Sequence, residues 1–118
     1  MLNALLEKKH AELAPHFKPG FLPRDHTVFQ FHFDEGDSFF LEVQTESFEL
    51  KSGVTASPTI TINIRNHEIC WGLLEGRIDG MKAFMEHNYR ADGNIVLSQL
   101  LLYLFKSTDP TIIYEVKY

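Results

Sequence analysis

Residues 79–105 read DGMKAFMEHNYRADGNIVLSQLLLYLF, and the pattern changes three times within them. Asp79 can cap a short helix in which Met81, Phe84 and Met85 recur at helical spacing. Asn88 to Asp92 is short and extended enough to add a strand at a sheet edge. Gly93-Asn94 then turns the chain into a last helix, with Asn94 as its cap, that is apolar over most of its circumference. At roughly 100° per residue, Tyr103, Val96, Leu100, Leu104, Leu97, Leu101 and Phe105 cover an arc of about 200°. Ser98, Gln99 and Lys106 form a polar strip with Ile95 and Leu102 embedded in it. One layer of sheet does not easily cover so wide a face. Other helices, a second subunit or a ligand must meet the excess.

Upstream, Asn66 is placed to cap a helix whose Ile69, Leu73 and Leu74 share a face, with Gly76 to end it. Before that the period is two. Phe29, Phe31 and Phe33 alternate with Val28, Gln30 and His32, and a turn follows at Asp34-Glu35-Gly36-Asp37. Phe39, Leu41 and Val43 repeat the alternation, Phe48 and Leu50 continue it past Thr45-Glu46, and Ile60, Ile62 and Ile64 resume it after the Gly53 to Pro58 loop. Four one-faced strands in succession predict an antiparallel arrangement with one face packed and one wet. Residues 2–14 read as an amphipathic helix carrying Leu2, Leu5, Leu6 and Leu13 and stopped by Pro15, a lid or brace before the loop at Pro19-Gly20 and Pro23. The fold class is α+β: a five-stranded, mostly antiparallel sheet covered on one face by helices.

The 118 residues make a single domain, divided into an N-terminal helix and loop (1–25), a core (27–106) and an extra C-terminal strand (111–118). In that tail Ile112, Tyr114, Val116 and Tyr118 alternate with Thr111, Ile113, Glu115 and Lys117, which suits closing a sheet edge or pairing with another chain. A net charge of −5 with no basic run argues against nucleic acid as a partner. Cys70 is alone, which excludes an internal disulfide, and Met1 to Leu6 gives way at once to Glu7, Lys8 and Lys9, unlike a secretion signal. A cytoplasmic setting follows. The mostly apolar run from Ile95 to Phe105 is far short of the roughly 20 residues that cross a bilayer.

No chemistry-bearing motif emerges. The six histidines form no metal-ligand spacing, so no metal or cofactor is expected. Cys70 reads as a buried structural thiol rather than a nucleophile, Asp34-Glu35-Gly36-Asp37 as a hairpin turn rather than a calcium loop, and Trp71 as a packed indole rather than a membrane anchor. An acid–base pair of Asp92 with His87 is the one enzymatic arrangement worth testing, and an enzyme is not the expectation.

The order of elements and the words of the second half resemble the sterol carrier protein 2 domain family, here a stand-alone prokaryotic version. The resemblance runs from the strand at Phe29 to the helix ending at Phe105. It is carried by Leu74-Glu75-Gly76-Arg77-Ile78-Asp79-Gly80-Met81-Lys82-Ala83-Phe84-Met85, by Tyr89-Arg90-Ala91, by Asp92-Gly93-Asn94 leading into Ile95-Val96-Leu97-Ser98-Gln99-Leu100, and by Pro58-Thr59-Ile60-Thr61-Ile62. It implies a non-catalytic domain that holds a lipid such as a sterol, an acyl chain, a phospholipid or an isoprenoid between sheet and helices and transfers or presents it. Two departures stand out. His87-Asn88 replaces the family's Gly-Lys before the edge strand, which calls on Asn88 for left-handed backbone, and the ending Val116-Lys117-Tyr118 is not a peroxisomal address.

On this reading Phe29, Phe31, Phe39, Leu41, Ile60 and Ile62 line the cavity from the sheet. Leu73, Met81, Phe84, Met85, Leu97, Leu100, Leu101 and Leu104 line it from the helices. Each buried methylene contributes about 0.8 kcal/mol, so a long acyl chain supplies roughly 10 kcal/mol before ordering costs, with no polar anchor required. Met81 and Met85 can repack around ligands of different outline. The final or N-terminal helix would swing to admit the ligand, with Ile95 and Leu102 at the mouth as transient membrane contacts. The alternative is an accessory module without lipid cargo, a homodimer through the final helix or the C-terminal strand.

Overall fold

The structure, a computed structural model, describes residues 2–93 and 95–105. The C-terminal strand expected over 111–118 and the Asn94 cap lie outside the described residues. Helix α1 (Leu2–Leu13) runs into a 3-10 turn (Ala14–His16) that carries Pro15. Then come β1 (His26–Glu35), β2 (Phe39–Gln44), β3 (Phe48–Ser52) and β4 (Ile60–Asn66), followed by α2 (His67–Glu75), α3 (Gly80–Met85), β5 (Tyr89–Asp92) and α4 (Ile95–Leu104).

The strands lie in the order β3-β2-β1-β4-β5. Three pairings are antiparallel, but β4 crosses over to pair parallel with β1, so the sheet is mixed rather than a run of hairpins. The crossover has a visible cause. Gln30, buried in the middle of β1, accepts a hydrogen bond from the Thr55 backbone N–H at 2.8 Å and donates to the carbonyls of Phe39 and Gly53 at 3.1 and 3.2 Å. The Val28 and Thr59 backbones bond to each other, and the Thr59 hydroxyl accepts from Val28 N–H at 2.9 Å. The 53–59 loop is thereby laid across the face of β1 and delivers β4 to its far edge. Gln30, which reads as a wet-face residue from its alternation, is buried because it supplies the polar partners this loop needs.

Register puts Phe29, Leu41 and Ile60 in one row and Phe31, Phe39 and Ile62 in the next, all on the face the helices cover. The helices are held by capping and packing. Asn66 Oδ1 accepts from Ile69 N–H at 2.9 Å, and Gly76 ends α2 at φ 80°. Asp79 accepts from Met81 and Lys82 N–H. Trp71 stacks on Phe39 at 5.0 Å, and Phe105 meets Phe48 edge-on at 4.8 Å.

Two local expectations are corrected. The left-handed residue between α3 and β5 is His87, at φ 62°, not Asn88. His87 N–H donates to Phe84 and Asn88 N–H to the Ala83 carbonyl, the pairing of a Schellman end, which places the left-handed residue one step earlier than the Asn preference suggested. On α4 the buried stripe is Leu97, Ser98, Leu101 and Leu104, while Val96 is 60% exposed. Ser98 satisfies its hydroxyl by donating to the Ile95 carbonyl at 2.7 Å, so it packs inward without a stranded donor.

Candidate functional site

The space between the sheet and helices α2 and α4 is closed from below by Phe31, Ile62, Ile64 and Tyr89. From above it is closed by Cys70, Leu73, Leu74, Ser98, Leu101 and Leu102. The void left among them is about 10 Å³, the space of about one water. No acyl chain fits there with the helices as they stand.

Phe29, Phe31, Phe39, Leu41, Ile60 and Ile62 are all buried on the helix-covered face, and Leu73, Leu97, Leu101 and Leu104 are buried opposite them. Leu100 is half-buried. Met81, Phe84 and Met85 do not join them: they are 63, 50 and 70% exposed, on the outside of α3. The inward residues of that short helix are Gly80 and Ala83, whose small side chains let α3 lie close to its neighbours while the long ones point out. At the expected mouth Ile95 is 59% exposed, whereas Leu102 is half-buried and seated against Gly80.

Polar groups around this interior are few. The Cys70 thiol is pushed well above its ordinary pKa by burial, which leaves it a poor nucleophile. Burial also raises the Tyr89 phenol. Trp71 Nε1 and Thr27 Oγ1 are buried without a hydrogen-bond partner among the described residues. On the rim Lys9 of α1 reaches Glu75 of α2 at 3.0 Å, and Arg77 Nε donates to Glu75 at 2.7 Å. Burial pulls Lys9 down in pKa, but Glu75 and Glu12 outweigh it and hold the ammonium up. Burial likewise pushes Glu75 up, and Arg77 and Lys9 together bring it below its ordinary value.

His87 precedes β5 and Asp92 ends it, so the four-residue strand holds them roughly 10 Å apart or more along its length, too far for an acid–base pair. Among the described residues no group of three His, Cys, Asp or Glu could hold a metal ion, and no helix is long and apolar enough to cross a membrane.

No protein-family model matches the chain, and no curated protein does. Solved structures do. The chain is similar to the stereoselective inverting sec-alkylsulfatase Pisa1 from Pseudomonas sp., with TM-score 0.66 and 13% identity over 86% of this chain, though it spans 16% of that enzyme's length. It is similar to palmitated SCP2L2 from Aedes aegypti, with TM-score 0.57 and 19% identity over 83% of this chain and 87% of that one. It is also similar to the UbiJ-SCP2 ubiquinone synthesis protein, with TM-score 0.57 and 12% identity over 85% of this chain and 76% of that one. With its mixed five-stranded sheet, its apolar face under α2 and α4, and these likenesses, the chain has the sterol carrier protein 2 fold.

Proposed function

We propose that the protein binds a hydrophobic, lipid-like ligand between the sheet and helices α2 and α4 and transfers or presents it without catalysis, in the cytoplasm. The observation that carries this reading is the interior itself: an almost wholly apolar seam, closed on one side by a helix whose residues are apolar nearly all round. A palmitoyl chain entering that seam would replace the contacts α4 gives up. At about 0.8 kcal/mol per buried methylene, its roughly 10 kcal/mol is commensurate with the burial of Leu97, Leu101, Leu104 and Phe105 at about 1.5–3 kcal/mol each. The seam can therefore exchange one apolar filling for another, and the palmitated likeness from Aedes aegypti makes an acyl chain the first ligand to try.

Native mass spectrometry of freshly purified protein, with extraction of whatever rides along, tests this. Adducts that extract as one lipid class support it. A bare mass that stays bare after incubation with palmitate, phospholipid and quinone rejects it.

A second reading has its own support. The void of about 10 Å³ means the interior is nearly filled without ligand, while Met81, Phe84, Met85, Ile95 and Val96 stand exposed on α3 and the first turn of α4. A homodimer closing over those side chains, with no lipid cargo, fits both facts. A concentration-dependent mass of twice the monomer, lost in Met85→Lys, would favour it.

A further inference from the structure

The face of the sheet turned away from the helices carries Arg65 on β4 and Arg90 on β5. Asn63 pairs with Arg90 across the two strands, and Arg65 N–H donates to the Asn88 carbonyl, so the two arginines sit diagonally on one face. Both are exposed, and neither forms an ion pair with any described residue, in a chain with 16 acids to 11 bases. A groove of about 490 Å³ runs past them, of the size that small-molecule sites occupy. Among the described residues that line it, the one carboxylate is Asp34 of β1, which makes no ion pair with either arginine. The groove's far wall is apolar, made by the exposed side chains of Phe84 and Met85. His87, in its left-handed conformation, sits where that wall turns into the arginine-bearing strand.

We propose that this groove binds an amphiphile with an anionic head, a carboxylate or a phosphate, at a site separate from the interior seam. Two guanidiniums on neighbouring strands, without ion-pair partners among the described residues, present fork-shaped donors that an oxyanion completes by bridging them. The side-chain amide of Asn63 adds donors beside them, while that of Asn88 donates to Glu86 Oε1 at 3.4 Å. Phe84 and Met85 then cover the first carbons of the tail, which a free inorganic ion would leave uncovered. The site does not depend on lipid entering between sheet and helices.

The test is a titration of the full, isotope-labelled chain with decyl phosphate below its micelle concentration, followed by amide and arginine side-chain NMR signals. Shifts are expected at Arg65, Met85, Tyr89 and Arg90, with little response to decanol and a weaker one to inorganic phosphate. Arg65→Gln and Arg90→Gln should each weaken binding on the order of tenfold, with Arg90→Lys in between. Both positions are exposed, and an unchanged melting temperature will show the variants folded. Shifts confined to other surfaces, or affinity unaltered in both Gln variants, would overturn the proposal. Inorganic phosphate binding as tightly as decyl phosphate would overturn the amphiphile assignment and leave a free-phosphate site.

Discussion

Leu102 of α4 lies so close against Gly80, the first residue of α3, that a Cβ on residue 80 would collide with its side chain. The two helices meet at this point beside the void, which Leu102 also lines. Gly80→Ala should therefore wedge the seam. We expect a loss of about 1–3 kcal/mol, the cost of overpacking, together with faster uptake of a fluorescent fatty acid. Denaturant melts and stopped-flow uptake read the two effects, and a variant with unchanged stability and uptake would mean that the α3–α4 contact does not control access.

Gln30 fastens the crossover loop to β1 through Thr55 and Gly53. Gln30→Leu keeps the volume and removes every one of those bonds, leaving loop backbone groups to find other partners. A cost of about 2–4 kcal/mol is expected from the lost hydrogen bonds and stranded groups. The 53–59 amides should exchange with solvent faster than those of β2 in the same variant. Equal exchange in loop and strand would show that the loop is held by something other than Gln30.

His87 occupies a left-handed position at the end of α3 where glycine is the usual choice. The strain of roughly 1–2 kcal/mol is partly offset by the chain entropy a glycine would add to the unfolded state, so His87→Gly should stabilise by about 0.5–1 kcal/mol. Urea unfolding at matched pH measures it. A destabilised variant would show that the imidazole makes contacts worth more than the strain.

Lys9 and Glu75 tie α1 to α2. Glu75 is held below 4.5, so its contribution is present above the unfolded value and fades as pH falls through the lower folded one. Lys9 is held above 10.5, so its contribution is complete below that value and fades as pH rises through the higher folded one. The tie is thus fully made between about pH 5 and 10 and worth about 1 kcal/mol for a pair at the rim. Glu75→Gln should flatten the acid limb of a stability-versus-pH curve relative to the parent protein. Parallel curves for the two proteins would remove Glu75 from the account of acid sensitivity.

Much of this fold was legible in the sequence because it rests on local rules. The Phe29-Phe31 and Ile60-Ile62 alternations, the Asn66 and Asp79 caps and the Gly76 stop all act within a few residues, and each is where its pattern placed it. The parallel pairing of β4 with β1 was not, because it depends on Gln30 reaching residues more than twenty positions away. The stretch Met81-Phe84-Met85 misled for a related reason. Helical spacing fixes that three side chains share a face, but which face turns inward was decided by the room that Gly80 and Ala83 leave. On α4 the same ambiguity exchanged Val96 for Ser98, whose hydroxyl could be satisfied within the helix. For the arginine-bearing groove, the signal was that Arg65 and Arg90 have no ion-pair partner among the described residues, which only pairing of the strands reveals.

On the proposed function, ligand enters between the sheet and helices α2 and α4. Uniformly ¹³C-labelled palmitate bound to the full chain can be asked directly, by intermolecular NOEs to assigned methyl groups. The expected result is contact from the middle of the acyl chain to Ile62, Leu73 and Leu101, lost together with binding in Leu101→Glu while the variant's circular dichroism remains that of a folded protein. Contacts limited to Met81, Met85 and Val96 on the outer surface, with Ile62 and Leu101 silent, would contradict it.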